Sequence, residues 1–162
     1  CKSCVSKGEC VFDDTVNEFR EIAKECDGFV FGSPVHYAGI SGAMTSFMDR
    51  LFYSDFCGNG NKTFYMKPAA CVISARRAGT TATFDQMNKY FSISSMPIVS
   101  SQYWNMVHGN RPEEVLQDEE GIQTVRVLAK NMAWLLKCIE AGKKAGINPP
   151  EKETPLRTNF IR

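Results

Sequence analysis

Five residues, Gly28-Phe29-Val30-Phe31-Gly32, limit the possible folds of this chain more than any other segment. The run is too short for a helix, is bracketed by glycines and carries apolar side chains on both faces. That is the pattern of a strand inside a parallel sheet with helices on each side. Its surroundings agree. Val16, Phe19, Ile22, Ala23 and Cys26 share one helical face, and Thr15-x-x-Glu18 reads as a capping box, so a helix is expected over about 15–26. Met44, Phe47, Met48, Leu51 and Phe52 repeat at helical spacing and predict a second helix to about Tyr53, followed by a loop over 54–61.

The alternation continues downstream. Ala69-Ala-Cys-Val-Ile-Ser74 predicts a second buried strand, Thr83-x-x-Gln86 the head of a third helix through Met87, Tyr90 and Phe91, and Pro97-Ile-Val-Ser100 a third strand. After a polar stretch over 105–120, Ile122, Val125, Ala129, Met132, Leu136 and Ile139 form the stripe of a last helix. Asp118, Glu119 and Glu120 stand where the positive end of its dipole favours carboxylates. Gly146 and Pro149-Pro150 end helical structure, which divides the chain into a domain over 1–145 and a tail over 146–162. Helices alternating with strands call for a parallel sheet with right-handed crossovers. Three strands offer little area for helices on both faces, so an earlier strand, helix and strand are expected before Cys1.

Charge and cysteine usage narrow the function classes. Among 162 residues, 19 Lys and Arg face 18 Asp and Glu, a net charge of +1, which leaves no basic excess to hold nucleic acid or an anionic membrane. No apolar run approaches the ~18 residues of a membrane span. Seven Cys, with Cys26, Cys71 and Cys138 in apolar stretches, suit buried free thiols in a reducing cytoplasm better than a disulfide framework.

Ligands of open parallel sheets lie at the carboxyl ends of the strands. After the first strand comes Gly32-Ser33-Pro34-Val35-His36-Tyr37-Ala38-Gly39-Ile40-Ser41-Gly42. Pro34 fixes the chain, Gly39 and Gly42 permit close backbone approach, and Ser33, His36 and Tyr37 set polar edges beside apolar surface. Such a loop suits a flat heteroaromatic ring, whereas a plain connection with Ser41 as N-cap leaves Gly-Ser-Pro-x-x-Tyr-x-Gly unexplained. After the second strand, Ser74-Ala-Arg76-Arg77-Ala-Gly79-Thr80 forms a second loop on the same side. Its arginines read equally as ligand contacts or as solvated surface residues. After the third, Tyr103, Trp104 and His108 are candidate substrate contacts, with packing as the commoner role of such residues. No Ser-His-Asp triad and no metal-spaced His pair is visible.

The segment Gly32-Ser33-Pro34-Val35-His36-Tyr37, with Gly39, Ser41-Gly42 and Met48-Asp49-Arg50, resembles the NAD(P)H-dependent FMN reductase family of flavodoxin-like proteins, especially its branch of iron–sulfur flavoproteins. The resemblance runs from Cys1 to Ile161. It implies a doubly wound α/β/α fold of strand order 2-1-3-4-5, of which this chain supplies strands three to five. It also implies an FMN ring bordered by Ser33, Pro34, Val35, His36, Tyr37 and Gly39, with Ser74, Arg76, Arg77, Gly79 and Thr80 at its pyrimidine edge. A guanidinium there would stabilise the anion of the reduced ring. The Gly/Ser/Thr-rich phosphate turn of such proteins has no counterpart in these residues and is expected upstream of the Cys segment.

Cluster-bearing members of that branch resemble Cys-x-x-Cys-x-x-Cys followed by a fourth Cys. Here Cys1, Cys4 and Cys10 match and Lys7 takes the third position, which argues against a [4Fe–4S] cluster. The plain reading is a Cys-rich loop without metal, with Cys1 and Cys4 as a candidate redox-active pair; an unusual cluster or a zinc site on the three is the alternative. The function implied by the resemblance is transfer of reducing equivalents from NAD(P)H through FMN to a quinone, a nitro or azo compound, or free flavin. The flavin carries the chemistry, so no protein residue is assigned as catalytic. A flavodoxin-type electron carrier and a flavin-free interaction protein are the rival readings. Homodimers or homotetramers are implied too, with Phe52, Tyr53, Phe56 and Thr158 to Arg162 as interface candidates.

Overall fold

A computed structural model of the chain describes residues 1–160. The elements in order are α1 (Ser3–Lys7), α2 (Thr15–Lys24), β1 (Phe29–His36), β2 (Gly39–Ile40), α3 (Gly42–Asn59), β3 (Ala69–Ala75), α4 (Thr80–Ile93), β4 (Met106–His108), α5 (Pro112–Val115) and α6 (Glu119–Lys144). The sheet has the order β2-β1-β3-β4, with β1, β3 and β4 parallel and β2 folded back on β1 as a short antiparallel hairpin arm. Register runs Phe29↔Ala69 to Pro34↔Ser74, and then Ile73↔Met106 to Ala75↔His108. All three parallel strands therefore end at nearly the same level.

Phenylalanine dominates the core on the α2/α3/α4 side. Phe29, Phe31, Phe52, Phe64 and Phe91 are buried with Met48, Leu51 and Met87. Phe31 stacks on Phe91 at 5.4 Å between ring centroids, and Phe52 lies 4.8 Å from Phe64. Each such pair adds about 0.5–1.5 kcal/mol beyond its burial. The other face holds a smaller cluster, Ala70, Val99, Leu128 and Met132, under α6.

Several expectations change. Val30 is 59% exposed, because α6 covers β3 and leaves that face of β1 open. The third strand starts at Ile98 as a single bridge to Ala69, swings out over residues 100–105 and resumes as β4. Tyr103 and Trp104 pack on each other in the excursion, centroids 5.0 Å apart. The expected loop over 54–61 is largely the last turns of α3. Its polar residues are internal: the buried Asp55 carboxylate accepts from the Thr63 hydroxyl (2.6 Å), the Thr63 N–H (3.2 Å) and Asn59 (3.1 Å). Gly60, at φ 65°, closes the helix.

Helix heads also move. Asp14, not Thr15, caps α2 by accepting from Val16 N–H, and the neighbouring Arg50 guanidinium holds its carboxyl below the usual range. Ile22 of the expected apolar face is 64% exposed. Helix α4 starts three residues before Thr83, which is buried and donates its hydroxyl back to Gly79 O at 2.9 Å. In α6 the buried stripe is Gly121, Thr124, Leu128 and Met132, rotated from the expected one, and Ala129 is exposed. Of the three thiols expected in the interior only Cys71 is fully buried, which pushes it up to about 12; Cys26 is half-buried and Cys138 exposed. All seven cysteines are free. No helix among the described residues is long and apolar enough to cross a membrane.

Candidate functional site

The carboxyl ends of β1 and β3 carry two loops that meet. From β1 the chain turns back through Tyr37 and Ala38, closed by the pairs His36↔Gly39 and Val35↔Ile40. Both turn residues adopt left-handed backbone, φ 50° and 58°. Two-residue hairpins require that conformation and glycine or asparagine usually supplies it. For Tyr and Ala it costs roughly 1–2 kcal/mol each. The Tyr37 side chain is fully exposed and gains no burial in exchange.

Below the turn, Ser33 is buried and its hydroxyl oxygen accepts from Ser41 N–H at 3.1 Å, tying the strand to the head of α3. Ser41 is the N-cap of that helix, accepting from Met44 N–H, as its place in the sequence suggests. Pro34, His36 and Tyr37 are exposed, while Val35 and Gly39 are half-buried.

The second loop, residues 76–79, links β3 to α4. Arg76 and Arg77 are exposed and make no ion pair among the described residues. Ser74 is half-buried and Thr80 buried. Gly79 stands at φ 95° as N-cap of α4, with no side-chain cap. A Cβ there would lie 2.7 Å from Ala38 Cα and 2.9 Å from a Val35 methyl. Absence of a side chain at Gly79 is thus what lets the two loops touch. His108 joins the rim at the end of β4, its N–H donated to Asp118 Oδ2 at 2.7 Å and its ring 3.8 Å from that oxygen. Tyr103 and Trp104 precede β4, in the excursion between Ile98 and Met106, whereas His108 is its last residue.

The rim sets a left-handed, outward aromatic turn, two exposed guanidinium groups and the N-terminal amides of α4 at the strand ends where parallel sheets hold ligands. Gln86 was not singled out as a site residue, yet its side chain accepts from Ile40 N–H at 3.1 Å. Its sequence signal was present, in Thr83-x-x-Gln86, but it reads as a helix cap.

The Cys segment lies away from the rim, across α3. It is fastened there by Arg20, which donates to Gly8 O, by Asn17, which bonds the backbone of Cys10 and Phe12, and by Arg50. Arg50 bonds both Asp14 oxygens at 2.8 Å and reaches Cys10 Sγ at 3.3 Å. Cys1, Cys4 and Cys10 border a hollow of about 620 Å³ whose other walls include Phe12, Phe52, Tyr53, Phe56 and Tyr90. Tyr90 donates to Asp49 at its edge, and burial with that bond pushes the phenol up to about 12. Among the described residues no three Cys, His, Asp or Glu converge as metal ligands, and Cys10 is already engaged by a guanidinium. The residues present do not offer the four convergent thiolates that a cubane takes.

Residues 2–111 match the family described as NADPH-dependent FMN reductase. An iron–sulfur flavoprotein of Methanocaldococcus jannaschii is 31% identical over 146 residues, covering 86% of this chain and 74% of that protein. A WrbA-like flavodoxin of Agrobacterium tumefaciens superposes with a TM-score of 0.54 at 15% identity, over 80% of this chain and 87% of that one. RosB, solved with 8-demethyl-8-formylriboflavin-5'-phosphate, gives 0.60 at 16% identity, over 94% and 67%. The chain belongs to the NADPH-dependent FMN reductase family, and its fold is flavodoxin-like.

Proposed function

We propose that this family member holds the FMN ring on the rim formed by the β1–β2 turn and the 76–79 loop. In this reading it passes reducing equivalents from NAD(P)H to a small acceptor such as a quinone, a nitro or azo compound, or free flavin. The observation that carries the reading is the contact between those loops, with Gly79 against Ala38 and Val35 beneath an outward Tyr37. Bound FMN supplies a centre that takes up hydride and gives electrons on. The chain supplies the rest. Ser33 and Pro34 fix the path of the strand into the turn, and His36, Tyr37 and Gly39 present its edge. Ser74, Gly79 and Thr80 set the second loop, where Arg76 and Arg77 place positive charge beside the head of α4. Such charge favours the anionic form of a reduced ring over its neutral form. His108 is kept as a substrate-side contact, whereas Tyr103 and Trp104 precede β4 in the excursion.

Self-association as a homodimer or homotetramer belongs to the same proposal. Tyr53 and Phe56 are exposed beside the hollow and suit an interface. Phe52 does not, because it is buried in the core. Residues 158–160 of the tail are exposed, and Ile161 and Arg162 lie outside the described residues. Seven free thiols support a reducing compartment such as the cytoplasm.

The test is anaerobic titration of the FMN-loaded protein with NADPH and NADH, followed by menadione, with flavin absorbance as readout. Bleaching by a pyridine nucleotide and recovery with the quinone supports the reductase. Bound flavin that ignores both nucleotides supports an electron carrier instead.

A further inference from the structure

We infer that Gln86 is a positioning residue for the flavin, latching the Tyr37-Ala38 turn onto α4 before any cofactor arrives. The inference rests on the FMN reading of the rim. The turn has little to hold it by itself: β2 is two residues long, and both turn residues are left-handed without being glycine. Isolated two-stranded arms are marginal in water, and this one also carries conformational strain. Its support comes from outside. Gln86, from the second turn of α4, accepts the Ile40 N–H at 3.1 Å. Gly39 makes the approach possible, since a Cβ there would lie 3.1 Å from the same amide oxygen.

Seven residues earlier, at the N-cap of the same helix, Gly79 packs against Ala38. The hairpin is therefore seated on α4 at two points, one a contact that needs no side chain and one a hydrogen bond that needs this one. The 76–79 loop springs from the head of α4, so Gln86 fixes the spacing between the two ring-side loops. A side chain touching no flavin would in this way set how well a flavin is held.

The test compares Gln86→Met, which removes the acceptor at similar length, with Gln86→Glu, which keeps an oxygen there. The Ile40 amide should exchange its hydrogen about 3- to 10-fold faster in Q86M and near the wild-type rate in Q86E, the factor expected for one exposed hydrogen bond. FMN should dissociate from Q86M with a Kd raised by a similar factor and with altered visible circular dichroism, while thermal midpoints stay within about 3 °C. Unchanged Ile40 exchange in Q86M would overturn the latch. Faster exchange with unchanged FMN affinity and dichroism would overturn the positioning role. A wild-type protein that takes up no FMN would overturn the FMN reading and the cofactor half of the inference, and the exchange comparison would still decide the latch.

Discussion

Replacing Gly79 with Ala probes the contact on which the rim depends. Two costs add. The residue sits at φ 95°, so a side chain pays roughly 1–2 kcal/mol in backbone conformation. The new Cβ would stand 2.7 Å from Ala38 Cα, a backbone atom that cannot rotate away, and 2.9 Å from Val35 Cγ1. Overpacking of that kind costs about 1–3 kcal/mol. The sum is ~2–5 kcal/mol, and at roughly 2–4 °C per kcal/mol for a chain of this size the thermal midpoint should fall by about 4–20 °C. Gly60→Ala is the control, since Gly60 has φ 65° with nothing within 4 Å of its Cβ position, leaving only the conformational cost of roughly 1–2 kcal/mol. Urea unfolding gives both values. The strain would also push the hairpin from the 76–79 loop, so FMN should bind G79A more weakly than G60A. If G79A proved no less stable than G60A and held FMN equally well, the two loops would not be in the contact described.

Other expectations follow from single groups. Burial pushes Cys71 from 9.0 up to about 12, so its contribution to stability is complete below about pH 9 and is lost as pH rises toward 12. Up to about 4 kcal/mol is at stake. Urea unfolding from pH 8 to 11 should show a steeper fall for wild type than for Cys71→Ala; parallel curves would refute that source. Asp55→Ala leaves the Thr63 N–H and hydroxyl without their acceptor in a buried turn and should cost about 1–3 kcal/mol by the same method. An effect below ~0.5 kcal/mol would mean that the turn closes without it. Tyr37→Ala removes a fully exposed side chain, so its thermal midpoint should hold within about 2 °C while FMN affinity drops several-fold. Unchanged affinity would remove Tyr37 from the site.

The strands and helices that make the rim were legible because they bury apolar side chains at regular spacing. Phe29 and Phe31 announced β1, and Met48, Leu51 and Phe52 announced α3, since nothing but the core accepts those side chains in that order. Errors gathered where polar residues do structural work. Ser54, Asp55 and Asn59 read as a loop and are helix, because Ser54 donates back to Leu51 O and the bonds of Asp55 and Asn59 close the turn to Thr63. Thr83 and Gln86 read as a helix cap, but Thr83 bonds back within the helix and Gln86 reaches a segment 46 residues away. A capping pattern is local, and a long-range acceptor leaves no local trace. The site loops were visible through Gly32-Ser33-Pro34 and Gly79, whereas their mutual contact was not, because it depends on the fold of both. The Cys segment was conspicuous in sequence, but its fastening by Arg20 and Arg50 from two other helices was not.

The central claim is that the rim binds FMN and exchanges electrons with a pyridine nucleotide. It is tested most directly by purifying the full-length protein, adding FMN, removing the excess and recording the visible spectrum before and after anaerobic NADPH and then NADH. Retained flavin absorbing near ~450 nm is expected, with its fluorescence quenched on binding and its absorbance bleached by at least one nucleotide. A protein that retains no FMN, or whose bound flavin stays oxidised with both nucleotides, would contradict it.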